Sequence, residues 1–330
     1  MKAKNIIVLV LLLTLCLTTA YAGNSKRIGT AGGQELLIPV GSRGTAMGGS
    51  VVSNTWGLES IYWNPAGLAS LEGTEAMFSH LPYIADINVN FGAVGTTIEN
   101  VGTLAFSAKV VAIGDMQETT NEYPNGTGRI FSPTLSVIGL TYARQLTSNV
   151  AFGATGMLIR ESIFEVGATG AAFDVGFIYD PRWQGIKLGV AIKNYGPTMR
   201  FSGRGFDRNL NGYQASPKNA SSDLPSHIDL GISYNFLNRD RNSLTASGNY
   251  RSNNFQEDFY QGGLEYGYNE RYFLRGGYNY SKQDDYIYGL SLGAGISVPI
   301  GGTSKLTFEY SWNKTDVFED NQYFTLKVNM

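Results

Sequence analysis

Residues 227–236 read HIDLGISYNF, and every second residue is large and apolar. In an extended chain Ile228, Leu230, Ile232, Tyr234 and Phe236 point one way, while Asp229, Gly231, Ser233 and Asn235 point the other. Side chains in a strand alternate faces, so this is a β-strand with one apolar and one polar face. The pattern recurs on both sides. Ile186, Leu188, Val190 and Ile192 oppose Lys187, Gly189, Ala191 and Lys193. Leu306, Phe308, Tyr310 and Trp312 oppose Lys305, Thr307, Glu309 and Ser311; at the carboxyl end Phe324, Leu326, Val328 and Met330 oppose Tyr323, Thr325, Lys327 and Asn329. A soluble sandwich with its apolar face inward alternates in the same way, so the period alone leaves the outer face open.

Counted outward from there, fourteen segments carry the period: 74–81, 86–95, 101–113, 132–144, 149–161, 171–180, 186–195, 227–236, 243–251, 258–267, 271–281, 286–299, 304–312 and 321–330. Most reach the roughly 9–11 residues of a tilted membrane strand and exceed the roughly 5–6 of a soluble sheet. With the first strand starting on the periplasmic side, the connections after even strands are 96–100, 145–148, 181–185, 237–242, 268–270 and 300–303, all short. Those after odd strands include the long 114–131 and 196–226, and also 313–320. Loops sorted by end, and an even strand number, are the marks of an outer-membrane barrel. Phe236, Tyr266, Tyr268 and Tyr272 fall at the short-turn end; Tyr278, Tyr280, Tyr288, Tyr310 and Trp312 fall toward the long loops. Two such bands match the aromatic girdles at the membrane interfaces. The expected fold is all-β, a 14-stranded antiparallel transmembrane β-barrel over residues 74–330, with a soluble exported β-protein as the weaker alternative. There is no fixed-period repeat, which argues against a propeller or solenoid.

The first 22 residues read as a signal peptide. Lys2 and Lys4 precede an apolar run at 6–17, and Ala20-Tyr21-Ala22 has the small-x-small form of a cleavage site. The run is shorter than a membrane helix, and Leu15 before Cys16 argues against a lipoprotein. Its removal takes away the only cysteine, excluding disulfide and thiol chemistry, and moves the net charge from −2 to −4. That balance argues against a nucleic-acid partner. Charged residues are only 16% of the chain, while Gly (41) and Tyr (20) are frequent, as in an exported barrel.

Residues 23–73 do not alternate. Within them 41–71 reads GSRGTAMGGSVVSNTWGLESIYWNPAGLASL. Asn64-Pro65-Ala66-Gly67 starts a short helix by its local chemistry: Asn is a strong N-cap and Pro is favoured at the first helical position. That helix is expected over 65–70, and any helix over 58–63 must stop near Trp63, because Pro excludes its predecessor from helical geometry. The segment reads as a compact plug.

Residues 41–69, with Arg43, Met47-Gly48-Gly49, Tyr62-Trp63 and Asn64-Pro65-Ala66-Gly67, resemble the amino-terminal signature of the PorV/PorQ family of outer-membrane proteins. More distantly they are similar to FadL-type fatty-acid channels, which share the Asn-Pro-Ala-Gly module before a fourteen-stranded barrel. The close resemblance covers about residues 30–70. It implies a lumen occluded near the periplasmic end by 41–71 and a non-enzymatic part in type IX protein secretion, binding secreted cargo proteins or secretion machinery in a bacterial outer membrane. The FadL-like alternative implies a passive channel for hydrophobic small molecules. The long loop 196–226 is the candidate partner-binding surface, with Arg200, Phe201, Arg204 and Phe206 as a basic-aromatic cluster.

On the polar strand faces Lys109, Asp174, Lys187, Lys193, Asp229, Arg251, Glu265, Arg275, Lys305, Glu309 and Lys327 are expected inside the barrel. Mixed signs point to a salt-bridged filling rather than a selectivity lining. Apolar residues that could line a hydrophobic path are Ile178, Phe273, Ile287 and one face of the fourth strand, Ile138, Leu140 and Tyr142. Catalysis finds little support. His80 and His227 lie beside Ser79 and Ser226, and the one Gly-x-Ser-x-Gly match, 289–293, falls inside a strand rather than on a nucleophile elbow. Two histidines without cysteine argue against zinc. Residues 207–212 read DRNLNG, the start of a calcium loop, but the twelfth position is Lys218 instead of Glu, so no EF-hand forms. No cofactor is implied.

Overall fold

The computed structural model describes residues 25–203, 208–210, 213–215, 221–239, 241–283 and 286–330. All fourteen segments form strands: β1 (Thr74–Pro82), β2 (Asn88–Ile98), β3 (Gly102–Ala112), β4 (Thr134–Thr147), β5 (Val150–Ile163), β6 (Val166–Tyr179), β7 (Ile186–Tyr195), β8 (His227–Arg239), β9 (Asn242–Asn253), β10 (Phe259–Tyr268), β11 (Tyr272–Ser281), β12 (Tyr288–Gly301), β13 (Ser304–Thr315) and β14 (Asn321–Asn329). Each pairs antiparallel with the next, and β1 meets β14 from Glu75↔Asn329 to His80↔Phe324, closing the ring. Closure leaves no unpaired edge strand in the ring of fourteen, which a membrane demands.

The largest difference from the sequence reading is at β6, which begins five residues early. Phe164-Glu165 turns directly from β5, and Ile163 pairs with Val166. Residues 167–172 are small, so no apolar alternation marks them as strand. The β6–β7 register shifts between Phe173 and Val175, where Lys193 and Asn194 both turn inward and Asn194 takes a φ of 56°. This is a β-bulge. Beyond it Phe201–Gly203 returns to pair with Val166–Ala168, extending the wall.

The apolar side of the alternation faces out. Leu140, Leu158 and Leu274 are 61–63% exposed, whereas their polar neighbours Thr141, Thr155 and Arg275 are buried. A closed barrel with an apolar exterior is how strands cross an outer membrane, and the protein is an outer-membrane barrel. Two residues of the fourth-strand face named above, Ile138 and Leu140, therefore meet the exterior rather than the lumen, and Val137, Thr141 and Ala143 are the buried ones. Tyr288 also departs from its expected girdle position: it lines the lumen and pairs its hydroxyl with Tyr83 at 2.8 Å.

The lumen is filled by residues 25–73. They form turns at Ser25–Arg27 and Gln34–Leu37, helices α1 (Ser42–Ala46) and α2 (Ser60–Trp63), and a 3₁₀ turn at Pro65–Ser70. Ala46, Met47, Val51, Val52, Leu58, Ala66 and Leu68 are fully buried within the ring. The segment spans the whole lumen. Near its start Gly32 donates to Asp223 O at 2.9 Å and Arg27 pairs with Asp223 at 2.6 Å, at the long-loop end. At its exit Thr74 donates to Met330 O at 3.0 Å, at the periplasmic end. The wall makes room with glycine. A Cβ on Gly176 would overlap Asn64 Oδ1, one on Gly153 would overlap Pro65, one on Gly189 would overlap Val52, and one on Gly277 would overlap Gly48. Inward-facing glycines thus let plug backbone lie directly against strand backbone.

Candidate functional site

Asn64 starts the Pro65–Ser70 turn as its chemistry requires: the residue is extended, and its Oδ1 accepts from Ala66 N at 3.1 Å. It also reaches outside the turn. Its Nδ2 donates to Val52 O at 2.8 Å and to Phe177 O of β6 at 3.1 Å. Asn64, Pro65, Ala66 and Gly67 are all buried, and a Cβ on Gly67 would meet Thr55 O at 2.5 Å. The motif therefore stitches the plug to itself and to the wall.

A chain of ions holds the plug from its lower side. Arg43 grips Glu265 with Nε at 2.9 Å and Nη2 at 3.0 Å, and its guanidinium lies 3.5 Å over the Trp56 ring. Glu265 also binds Arg275 at 2.6 Å, Arg275 binds Glu309 at 2.7 Å, and Glu309 binds Lys327 at 2.6 Å. Lys327 returns to the plug at Glu59, 2.6 Å away, and Glu59 accepts from Gly44 N at 2.7 Å. The ladder starts and ends in the plug and runs through β10, β11, β13 and β14. Its charges alternate, three of each sign, so the buried array is neutral; losing one member would leave an uncompensated buried charge. Sequence reasoning placed the wall members in the lumen but missed their connection to the plug. The signal was present: Arg43 and Glu59 are the only charged residues in 41–71.

Two larger cavities lie on either side of the plug. The upper one, about 460 Å³, opens toward the long loops. Thr45, Gly48, Gly49, Tyr62 and Trp63 form its floor, and Tyr83, Phe259, Tyr286, Tyr288 and Tyr323 contribute rings to its walls. Phe259 and Tyr286 lie 5.0 Å apart between ring centres, Tyr286 and Tyr288 5.9 Å. Such rings favour planar or apolar guests. The lower cavity, about 850 Å³, opens at the periplasmic turns and is lined by Glu75, Arg275, Lys305, Glu309 and Lys327.

Glu35, in the upper part of the plug, is 1% exposed, and neither carboxylate oxygen has a hydrogen-bond partner. Burial and the neighbouring Glu161 carboxylate push its pKa up from 4.5 to about 7. Glu161 itself accepts from Gly33 N at 3.0 Å. Nothing in the sequence around Glu35 marks it, because its environment is made by a strand more than a hundred residues away.

The other expected inward ions Lys109, Asp174, Lys193, Asp229 and Arg251 are buried. Lys187 and Lys305 sit at the periplasmic rim, Lys187 paired with Asp180 at 3.5 Å. In the long loop Arg200 is exposed, whereas Phe201 is half-buried and packs on the wall cluster that includes Ala168 and Met199. Arg204 and Phe206 lie outside the described residues, as do Asp207, Asn211 and Gly212 of the calcium-like sequence. Ser291 of the Gly-x-Ser-x-Gly match is a buried inward residue of β12. His80 bonds Asn90 at 2.8 Å, and His227 lies 3.5 Å from Asp229.

No protein-family model matches this sequence, and no curated protein does. Solved structures do match. The CymD monoaromatic hydrocarbon channel aligns over 88% of this chain and 97% of its own at 13% identity, with a TM-score of 0.55. A Pseudomonas aeruginosa FadL homologue aligns over 88% and 98% at 14% identity and 0.54. The Ralstonia pickettii toluene transporter TbuX aligns over 88% and 98% at 16% identity and 0.52. The fold is that of the FadL-type fourteen-stranded barrels.

Proposed function

We propose that the protein is a passive outer-membrane channel for hydrophobic small molecules, with membrane lipid against its outer face. The observation that carries this reading is the ring-lined upper cavity of about 460 Å³ on the long-loop side of a plugged barrel. A volume of this order suits one small organic ligand. The fold shared with hydrocarbon and toluene channels supports the same reading. Among the described residues no reacting centre is assigned, and the channel reading is non-enzymatic.

The secretion reading rests on the resemblance of residues 30–70 alone. The comparisons add nothing to it, and of its proposed contact cluster Phe201 packs on the barrel wall. Loss of the protein is expected to slow uptake of, and growth on, an alkylbenzene while secretion of cargo with carboxy-terminal signal domains continues. Unchanged uptake with failed secretion would overturn the channel in favour of the PorV-like role.

A further inference from the structure

A cavity for plain hydrocarbons has no use for hydrogen-bonding groups, yet the upper cavity carries a set of them. Arg251 lines it from β9. Its Nε donates to Asp229 Oδ1 at 2.8 Å and its Nη2 to Asp229 Oδ2 at 3.3 Å, and neither bond uses Nη1. Gln261 lines the cavity next to it and accepts from Asn249 through Oε1 at 2.8 Å, a bond that does not use its Nε2. Asn279 and Asn313 also line the cavity, and the Oδ1 of each is without a partner. Donors and acceptors thus stand among Tyr62, Phe259, Tyr286 and Tyr288.

The charge around these groups is balanced. Asp229, behind the lining, neutralises Arg251, His227 stands 3.5 Å from Asp229 Oδ2, and the acid on the lining itself is Glu35. A carboxylate entering here would give up its hydration without gaining a net positive partner. A plain hydrocarbon would leave the donors dry and unpaired. A neutral molecule with a ring and one oxygen loses least on both counts. We infer that the upper cavity selects neutral, oxygen-bearing aromatic molecules, ketones, esters or phenols, over both hydrocarbons and aromatic acids. This rests on the channel reading and names its substrate class.

The test is calorimetric titration of the detergent-solubilised full chain with three probes of one shape: acetophenone, ethylbenzene and benzoate. Acetophenone is expected to bind roughly tenfold tighter than ethylbenzene, the worth of about one hydrogen bond, with benzoate weakest. The double variant Asp229→Asn/Arg251→Gln, which removes both charges together, should erase the preference while ethylbenzene binding persists. If that pair fails to fold, Gln261→Met alone should reduce the preference. Equal binding of acetophenone and ethylbenzene, or tightest binding of benzoate, overturns the selectivity and leaves a hydrocarbon channel standing. No binding of any probe, with no uptake into proteoliposomes, overturns the channel reading itself.

Discussion

Above the plug the lumen is walled by Tyr83, Phe259, Tyr286, Tyr288 and Tyr323; below it, Glu75, Arg275, Glu309 and Lys327 face the periplasmic opening. The same strands build both. Tyr288 and Arg275 lie on the neighbouring strands β12 and β11, one at the top of the lumen and one beneath the plug. Position along the strand, not strand identity, decides the chemistry. The upper half offers ring surface to a guest, whereas the ions of the lower half grip the plug. Rings and ions are therefore segregated into separate halves, joined by residues 25–73.

The largest effect should come from removing the junction. A chain lacking residues 41–71 is expected to pass from closed to an open-pore conductance in planar bilayers, erasing the difference between the halves. An unchanged, closed barrel would place the barrier elsewhere. Next is the ladder. Glu265→Ala leaves Arg43 and Arg275 without their shared carboxylate and should cost about 3–5 kcal/mol, the usual penalty for an orphaned buried charge. A lower temperature for the gel shift of the folded barrel in SDS reads it out.

A smaller effect is expected at the wall. Gly176→Val would push a side chain into Asn64 and should cost about 1–3 kcal/mol. Gly156→Val, on an outward site with open space around it, should change stability by less than about 0.5 kcal/mol. Equal effects would mean that the plug does not press on the wall.

The gentlest perturbation is pH. Glu35 binds its proton more tightly in the seated plug than in an unfolded chain, its pKa moving from 4.5 to about 7. The folded form holds more protons in that window, so the seating of the upper plug is strongest below about pH 4.5 and weakens as pH rises to about 7. The protection of residues 33–40 against hydrogen exchange, taken relative to the intrinsic rate at each pH, should fall across that interval, and Glu35→Gln should flatten that profile.

Much of this was legible in the residues. Strict alternation at 227–236 and the sorting of short and long connections determined the barrel, because a strand's side chains cannot avoid alternating and a membrane admits no open edge. Asn64-Pro65 determined where the 3₁₀ turn begins, since capping is local chemistry. The small-residue run 167–172 concealed the start of β6, whose pairing with β5 supplies what its side chains do not.

Distance along the chain sets the limit. Arg43 and Glu265 are 222 residues apart, and only the closed ring brings them together. The approach of Glu161 to Glu35, the inward turn of Tyr288 and the close fit of plug backbone against wall glycines are likewise products of closure. The sequence by itself determined a fourteen-stranded barrel, through periodicity, and where the turn after Asn64 starts, through local backbone preference. Which charges meet, where the plug is held and which half of the lumen is ring-lined were decided by the tertiary structure, because those contacts join residues whose separation carries no pattern.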